Sequence, residues 1–458
     1  MNPETSHQQK PHQRILSKPF LIASGVFILS LLWFWFWRPY GYYGGDSEFL
    51  DRQVNNGLWF RKREVLAVAA MQLSRQIFTL QFDWPVSWSI SMVSCLAGSV
   101  SVTLAWLLCR NEDRGALRFI LILTSGYMLL YHGSVESYAL PTAALMFWIY
   151  AIHQVDRGRW HTSVLPFSFA LMAWCHLMAL FLFPSLLVSA WVYRERVLGK
   201  DLKHWILAGL ATFGIYIFTV TLRFGSGQGV ALGDLFFKSD RIETQEVGTF
   251  LSMEHLRIKS YFLWLGTHVT VVFALAALWK ERTNRVVLQI GGMVIAALIF
   301  LIFFHPDCGY KDWDLFLLPS LPAAVLGSRW VVQSKWRHLF ATIWILAFLT
   351  LWFPRIPVWA RLSERGLAKV EITNHPMDRQ VRFDGRYLVR NQVFYTQGGE
   401  HKLEVRKRGY KTYYKHFEVS PGDSIQVEVP IVNEEVPMSE EIRKILEEIE
   451  EEKRDEGQ

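Results

Sequence analysis

Long apolar runs that are nearly free of charge alternate with short polar loops over most of the chain. The clearest of these runs cover residues 19–37, 85–109, 205–222, 261–279 and 286–304. Each is close to the roughly 20 residues that an α-helix needs to cross a bilayer. A spanning helix satisfies its own backbone hydrogen bonds, which hydrocarbon does not do for it. The pattern therefore predicts a polytopic α-helical membrane protein.

Followed along the chain, the hydrophobic pattern predicts about eleven spans. They lie at 19–37, 85–109, 116–131, 138–153, 162–175, 177–193, 204–222, 260–279, 286–304, 313–330 and 338–353. The positive-inside rule places basic loops in the cytoplasm, and the basic loops here are 110–118, 154–161, 194–203, 280–285 and 329–337. We therefore expect a cytoplasmic tail (1–18), a transmembrane domain (19–353) and an extracytoplasmic C-terminus, in a plasma (inner) membrane.

Two longer segments, 38–82 and 223–259, fall on the predicted outer side. Within the first, residues 64–80 have the spacing of a helix. Its apolar positions are Val65, Val68, Ala69, Leu73 and Ile77, and its polar positions, on another side, are Gln72, Arg75 and Gln76. A helix that lies on the membrane surface fits this pattern.

The pattern changes to a period of two after a linker at 354–367. Residues 368–432 alternate polar and apolar side chains, with turn residues at Asp384-Gly385 and Gly398-Gly399. This stretch predicts a small antiparallel β domain. Residues 438–458 then predict an acidic helical tail, for which a solvated helix is favoured over one that binds a partner.

Charge and cysteine content exclude two other classes of protein. The net charge is +7, but the basic residues cluster in the short loops, as membrane topology requires, and form no nucleic-acid-binding module. The four cysteines show neither the spacing of a zinc site nor that of a disulfide framework. No metal-binding signature is present.

The most informative polar segment follows the first span directly. It contains three carboxylates, Asp46, Glu48 and Asp51, close to Gly44 and Gly45. A carboxylate held near a membrane face needs partners that offset its desolvation, and such residues are often functional. One of them could take a proton from an acceptor hydroxyl. A solvated acidic loop is the alternative.

The segment Gly45-Asp46-Ser47-Glu48-Phe49 resembles a motif of the GT-C superfamily of membrane glycosyltransferases. It is similar to the Gly-Asp-Ser-x-Glu-Phe form of protein O-mannosyltransferase-like members, and is one residue shorter. The resemblance implies inverting transfer of a sugar from a polyprenyl-phosphate carrier to an acceptor hydroxyl on the extracytoplasmic face. It implies Asp46 or Glu48 as the general base, and the missing residue leaves open which of them acts.

Two further outer turns are candidates for substrate binding. Glu136 and Tyr138 lie in a turn that resembles a Val-Glu-x-Tyr element of similar enzymes, where they would contact sugar hydroxyls. Tyr138 as an interfacial anchor is an equal alternative. His176 lies at another predicted outer turn, and for a lone histidine among apolar residues a structural role is the stronger interpretation.

A third outer segment, at 305–314, concentrates charge between two spans. We select from it, as substrate-binding candidates, His305, Asp307, Lys311, Asp312 and Asp314. Lys311, together with Arg223 from another outer loop, could neutralise phosphate oxygens. Asp312 and Asp314 could equally favour the start of the next helix. A divalent cation shared by Asp46, Glu48 and Asp314 stays open, because the spacing does not require one.

The β-rich segment resembles a PEGA domain, and the resemblance implies that it folds as a small β-sandwich. The matching residues are 374–376, 381–385, 399–405 and 409–410, whereas 377–379 depart from the four-residue signature. Such a domain would bind a partner, a glycan or a cell-wall component. The expected partners of the whole chain are a polyprenyl-phosphate sugar, a protein, lipid or glycan acceptor, and the bilayer.

Two other functions remain open from the sequence. The first is a transporter or flippase of a lipid-linked substrate, although no repeated halves are evident. The second is a noncatalytic membrane anchor for the β domain, for which a single span would suffice.

Overall fold

The structure is a computed structural model in which two compact units form, Met1–Ile356 and Pro357–Gln458. It describes residues 18–38, 47–61, 64–82, 84–132, 135, 137–224, 253–303, 317–352, 367–373, 380–384, 386–387, 393–397, 399–406, 412–420 and 423–429. The acidic tail expected at 438–458 lies outside these residues.

The regular secondary structure described in the first unit is all helical. Its α-helices are α1 (Lys18–Trp37), α2 (Ser47–Asn55), α3 (Val65–Ser74), α4 (Leu80–Phe82), α5 (Val86–Cys109), α6 (Gly115–Leu123), α7 (Ala139–Asp156), α8 (Val164–Cys175), α9 (Phe183–Val192), α10 (Arg194–Leu198), α11 (Leu202–Phe224), α12 (Met253–Thr267), α13 (Thr270–Lys280), α14 (Arg285–Phe303), α15 (Ser320–Gln333) and α16 (Arg337–Trp352). A π-helical turn (Arg75–Thr79) follows α3, and 3₁₀ helices occupy Gly126–Tyr131 and Leu177–Leu182.

Three of these helices are long and apolar enough to cross a membrane by themselves: Pro19–Trp37, Val86–Cys109 and Arg285–Phe303. A fourth span results if His255–Thr267 and Thr270–Lys280, which are bent by 75°, are counted as one. Each of the eleven predicted segments contains helix, but several are short or broken. The number of spans therefore stays a prediction.

One break has a steric cause. The predicted span 116–131 ends as an α-helix at Leu123 and resumes as a 3₁₀ helix at Gly126. A Cβ atom on Gly126 would lie 2.5 Å from the carbonyl oxygen of Gly266. Only glycine allows this close approach to α12. The freed carbonyl oxygen of Thr124 accepts a hydrogen bond from Trp344 Nε1 at 2.7 Å.

The surface segment is helical as expected, and one of its polar residues packs against the protein. Gln72 is fully buried, whereas Leu73 and Ile77 are 54% and 40% exposed. With its amide oriented to satisfy both neighbours, Gln72 donates to the carbonyl of Val54 in α2 and accepts from Arg75. The helix is apolar almost all round, so one side packs on protein and the other presents apolar residues outward, as at a membrane interface.

The second unit contains two sheets. Its strands are β1 (Leu367–Thr373), β2 (Gln380–Phe383), β3 (Arg386–Tyr387), β4 (Val393–Gln397), β5 (Gly399–Arg406), β6 (Tyr413–Val419) and β7 (Ser424–Glu428). They pair in the orders β4-β1-β7 and β3-β2-β5-β6. The prediction of a purely antiparallel domain was wrong, because β1 and β7 pair in parallel. Pairing of β7 with β1 depends on a long crossover that local alternation does not reveal.

The two sheets of this unit share one apolar core. Side chains of β1, β2, β5 and β7, or next to them, bury it: Val370, Ile372, Val381, Phe383, Leu403, Val405, Val427 and Val429. His401 of β5 contributes to the same region, since its ring stacks on Phe383 at 5.1 Å between ring centroids. Its Nδ1 atom lies 2.7 Å from Asp384 in the turn after β2.

Candidate functional site

The predicted site residues fall into three groups in the structure. The side chains of Asp51, Tyr138 and His176 are described. Glu48 and Arg223 lie in α2 and α11, where only the backbone is described. The remaining candidates lie outside the described residues: Asp46, Glu136, His305, Asp307, Lys311, Asp312 and Asp314. The catalytic and binding roles of all of them stay predictions.

The described residues bring three segments of the chain, all predicted to be on the outer side, together around His176. Its ring centroid is 5.0 Å from that of Tyr138, and its Nε2 atom is 3.6 Å from Oε1 of Glu64. His176 and Glu64 are 5% and 3% exposed. Together with Arg61 and Ser137, these residues form what we term the Glu64 cluster: Arg61, Glu64, Ser137, Tyr138 and His176.

Backbone geometry fixes the orientation of His176. The residue ends α8 and begins the 3₁₀ helix Leu177–Leu182, in an extended conformation. Its Nδ1 atom accepts a hydrogen bond from the backbone N–H of Met178 at 3.0 Å. In the neutral ring the proton is therefore on Nε2, which faces the carboxylate of Glu64.

Glu64 is a buried carboxylate that stays ionised. It occupies the N-cap position of α3, and its side chain accepts a hydrogen bond from Arg61 Nη1 at 3.1 Å. Burial raises the pKa of this carboxyl, but the polar contact with His176, the charge of Arg61 and a contact with Ser137 together lower the pKa to about 2. A buried ion pair of this kind is retained only where its geometry compensates for lost hydration.

The helix that carries Glu48 lies at the same end of the unit as the Glu64 cluster. α2 packs on α3 and α5, and its Leu50 and Val54 are fully buried. It begins at Ser47, directly after Asp46 in the chain. The acidic motif thus leads directly into α2, which packs on α3, the helix that Glu64 precedes.

An aromatic layer surrounds the C-terminal end of α1. Trp35 stacks on Trp84 at 5.1 Å, and Trp84 stacks on Phe78 at 4.8 Å. The guanidinium of Arg38 lies 4.0 Å from the ring centroid of Trp88. Tryptophan with arginine is typical of the level of the lipid headgroups.

The basic loops meet at the opposite end of the same helices. α7 (Ala139–Asp156) begins directly after Tyr138 of the cluster, and α8 (Val164–Cys175) ends directly before His176. At the basic end, Arg329 pairs with Glu281 at 2.8 Å, and Arg114 donates to the carbonyl of Val332 at 2.7 Å. His161 and Thr162 contact the buried Asp201. The loops that the sequence assigned to one side therefore occupy one end, and the Glu64 cluster occupies the other.

Glu64, Arg61 and Ser137 were missed by sequence reasoning. Glu64 ends a run of four charged residues, 61–64, and such a run normally indicates a solvated loop. The available signal was its position immediately before an apolar helical segment, where an N-cap is expected. Its burial beside His176 depends on contacts across more than 100 positions of sequence, which local patterns do not encode.

Metal binding gains no support from the described residues, since no three His, Cys, Asp or Glu side chains among them are placed to hold an ion. Asp46 and Asp314 lie outside that set.

Comparison with known proteins supports the fold. No family model matches the chain, and no curated protein matches it. Among solved structures, ArnT from Cupriavidus metallidurans bound to undecaprenyl phosphate aligns with a TM-score of 0.50 and 14% identity, over 74% of this chain and 64% of that chain. The chain thus spans less than two thirds of the length of this neighbour.

Two other solved structures are more distant. The apo state of the same ArnT has a TM-score of 0.48 at 14% identity, over 74% and 64% of the two chains. The Archaeoglobus fulgidus oligosaccharyltransferase AglB, in complex with an inhibitory peptide and a dolichol-phosphate, has 0.47 at 11% identity, over 75% and 56%. At such identities the likeness concerns the fold alone, and it rests on the ArnT structure with bound undecaprenyl phosphate.

Proposed function

We propose that the chain is a membrane glycosyltransferase that moves a sugar from a polyprenyl-phosphate carrier to an acceptor hydroxyl on the extracytoplasmic face. The observation that carries this proposal is the fold, which is similar to that of an ArnT solved with undecaprenyl phosphate bound. The arrangement of polar residues supports it. The acidic motif, Tyr138 and His176 belong to elements of one end, away from the basic loops.

The reaction that fits these residues is a single inverting displacement. Asp46 or Glu48 accepts the proton of the acceptor hydroxyl. The acceptor oxygen then forms a bond to the anomeric carbon on the face opposite the phosphate, while the bond from that carbon to the phosphate oxygen breaks. The electron pair leaves with the polyprenyl phosphate, whose new negative charge Lys311 and Arg223 would stabilise. The proton remains on the carboxylate until water removes it.

The Glu64 cluster would position this site rather than react. Its carboxylate is enclosed by Arg61 and His176, so it is not available as a base. It holds His176, and with it the turn at Ser137 and Tyr138, against α3, the helix on which α2 packs. Tyr138 and Glu136 would then contact sugar hydroxyls, and His305, Asp307, Asp312 and Asp314 would complete the site from the next outer segment. Asp51 would lie beside the base.

The test is transfer by purified protein in liposomes that contain labelled polyprenyl-phosphate sugars and host membrane extract. We expect label to move to an acceptor. Of the two variants Asp46→Asn and Glu48→Gln, the one that removes the base should abolish this transfer. Asp113→Asn is the matched control, because its carboxylate is at the basic end and 95% exposed. Near-normal turnover by both motif variants would contradict the assigned chemistry.

A transporter or flippase is the second candidate, and one observation favours it. Helices α12 and α13 are bent by 75° at His268, and broken helices also line transport sites. The same liposomes distinguish the two functions: carrier that crosses the bilayer without sugar transfer would make transport the better proposal.

Loss of transfer on treatment with a chelator, restored by a divalent cation, would support the shared metal site at Asp46, Glu48 and Asp314.

A further inference from the structure

A groove at the basic end of the helical unit is not used by the proposed reaction. Its volume is about 620 Å³, and its lining residues are Ala276, Trp279, Lys280, Arg282 and Trp330. Two indoles and two cations thus meet where α13 ends beside α15. Trp279 is 81% exposed, which is unusual for so large an apolar side chain unless it lies in contact with lipid.

The positive charge of the groove is not neutralised by the protein around it. The adjacent acid, Glu281, is held by Arg329 through contacts of 2.8 to 3.3 Å from Nη2 and Nε. Asn284 also approaches the same carboxylate, at 3.5 Å. Among the residues that the structure describes, neither Lys280 nor Arg282 forms an ion pair. Both cations therefore remain available to an anion.

One wall of the groove is rigid. The Trp330 ring stacks on Phe273 at 5.5 Å with an interplanar angle of 16°, and Phe340 packs against it at 5.2 Å. Gly327, one turn earlier in α15, would place a Cβ 2.9 Å from the carbonyl oxygen of Thr270, so α13 and α15 are in close contact. The groove is consequently formed before any ligand arrives, which reduces the entropic cost of binding.

We propose that this groove binds the headgroup of an anionic phospholipid. Lys280 and Arg282 would contact the phosphate, and the two indoles would contact the glycerol and the first methylenes of the acyl chains. Basic pockets between membrane helices have the chemistry that recognises such headgroups. The convergence of two cations and two indoles in one cavity distinguishes this place from Lys335 and Trp336 at the same end, which form an exposed cation–π pair at 5.6 Å outside the groove.

The experiment measures binding of phosphatidylglycerol to the purified full-length protein in detergent, by native mass spectrometry and by the shift in thermal midpoint. We expect Lys280→Ala combined with Arg282→Ala to weaken binding roughly tenfold or more. The matched control is Lys335→Ala combined with Arg337→Ala, which removes the same charge from the same end and should weaken binding much less. If the double variant folds poorly, Arg282→Gln is the milder substitution. It removes one charge but keeps more of the side-chain volume than alanine does, and it should cause a partial loss of lipid binding.

Three outcomes would overturn the proposal. One is an equal loss in the control pair, which would indicate general attraction to charge. Another is equal binding of phosphatidylcholine, which would remove the role of the cations. The third is complete competition by millimolar inorganic phosphate, which would make the ligand a free anion. None of these readouts depends on sugar transfer, so they stand apart from the test of the proposed enzyme.

Discussion

Glu64 is the residue whose environment departs most from what its sequence context indicates. A carboxylate that is only 3% exposed would ordinarily take up a proton, because burial disfavours charge. Here Arg61 lies within 3.1 Å and His176 presents its Nε2 atom at 3.6 Å. These contacts outweigh burial, so the group is ionised in the folded protein.

This ionisation predicts a specific loss of stability in acid. The pKa of Glu64 falls from an ordinary value of 4.5 to about 2 in the folded state. The contribution is therefore fully present above pH 4.5 and declines as the pH falls towards 2. It corresponds to about 3 kcal/mol. We expect Glu64→Gln to lower the thermal midpoint at pH 7 in detergent, and to remove part of the decline between pH 5 and pH 3.

Asp113→Asn is the control for this prediction, because Asp113 is 95% exposed and a solvated acid contributes little. If the midpoints of the wild type and Glu64→Gln decreased in parallel below pH 5, the carboxylate would not be the group responsible.

Sequence reasoning selected two members of the Glu64 cluster. Tyr138 and His176 were chosen because each lies at a predicted outer turn between two spans, Tyr138 also by resemblance, and the structure places their rings in contact. Glu64 was missed because a charged run gives no sign of which member is buried. The catalytic motif was recognised by resemblance, and the position of its side chains stays a prediction.

At the scale of elements, close approach of helices depends on single glycines. A Cβ atom on Gly98 of α5 would lie 2.6 Å from Cβ of Tyr131 and 2.7 Å from a ring carbon of Phe34. This contact at Gly98 thus joins α1, α5 and the 3₁₀ helix Gly126–Tyr131. The hydroxyls of Ser101 and Tyr131, 2.8 Å apart, reinforce the same contact.

Gly98→Ala should consequently destabilise the helical unit by about 1–3 kcal/mol through overpacking. Gly209→Ala in α11 is the matched control, since nothing lies within 4 Å of its added Cβ and alanine favours the helix. Thermal unfolding of both variants in the same detergent measures the difference. Equal midpoints would show that α1 moves away from α5 without cost.

Hydrophobic periodicity predicted where helices exist, but not where they break. All eleven predicted segments contain helix, as their length and apolar character predicted. At Gly126 the backbone of α12 approaches closely, and at His268 the backbone has a positive φ of 34°. Neither feature changes the local hydrophobic pattern.

At the scale of the whole molecule, the chain divides into two units of different architecture. A change from helical spacing to a period of two identified the second of them, because the alternation of side chains in a strand is local. The parallel pairing of β1 with β7 was not predictable in this way. It joins the first and last of the strands that the structure describes in this unit, and closes its core.

That closure predicts that the β unit folds alone. The eight residues of its main buried cluster all lie between 370 and 429. We expect the isolated polypeptide 357–458 to show a cooperative thermal transition by circular dichroism. Leu403, fully buried, should be essential: Leu403→Ala should cost about 2–5 kcal/mol, comparable to the total stability of so small a unit. His416→Ala, on the exposed face of β6, should change the midpoint little. A wild-type segment without a cooperative transition would mean that the β unit requires the rest of the chain or the membrane surface to fold.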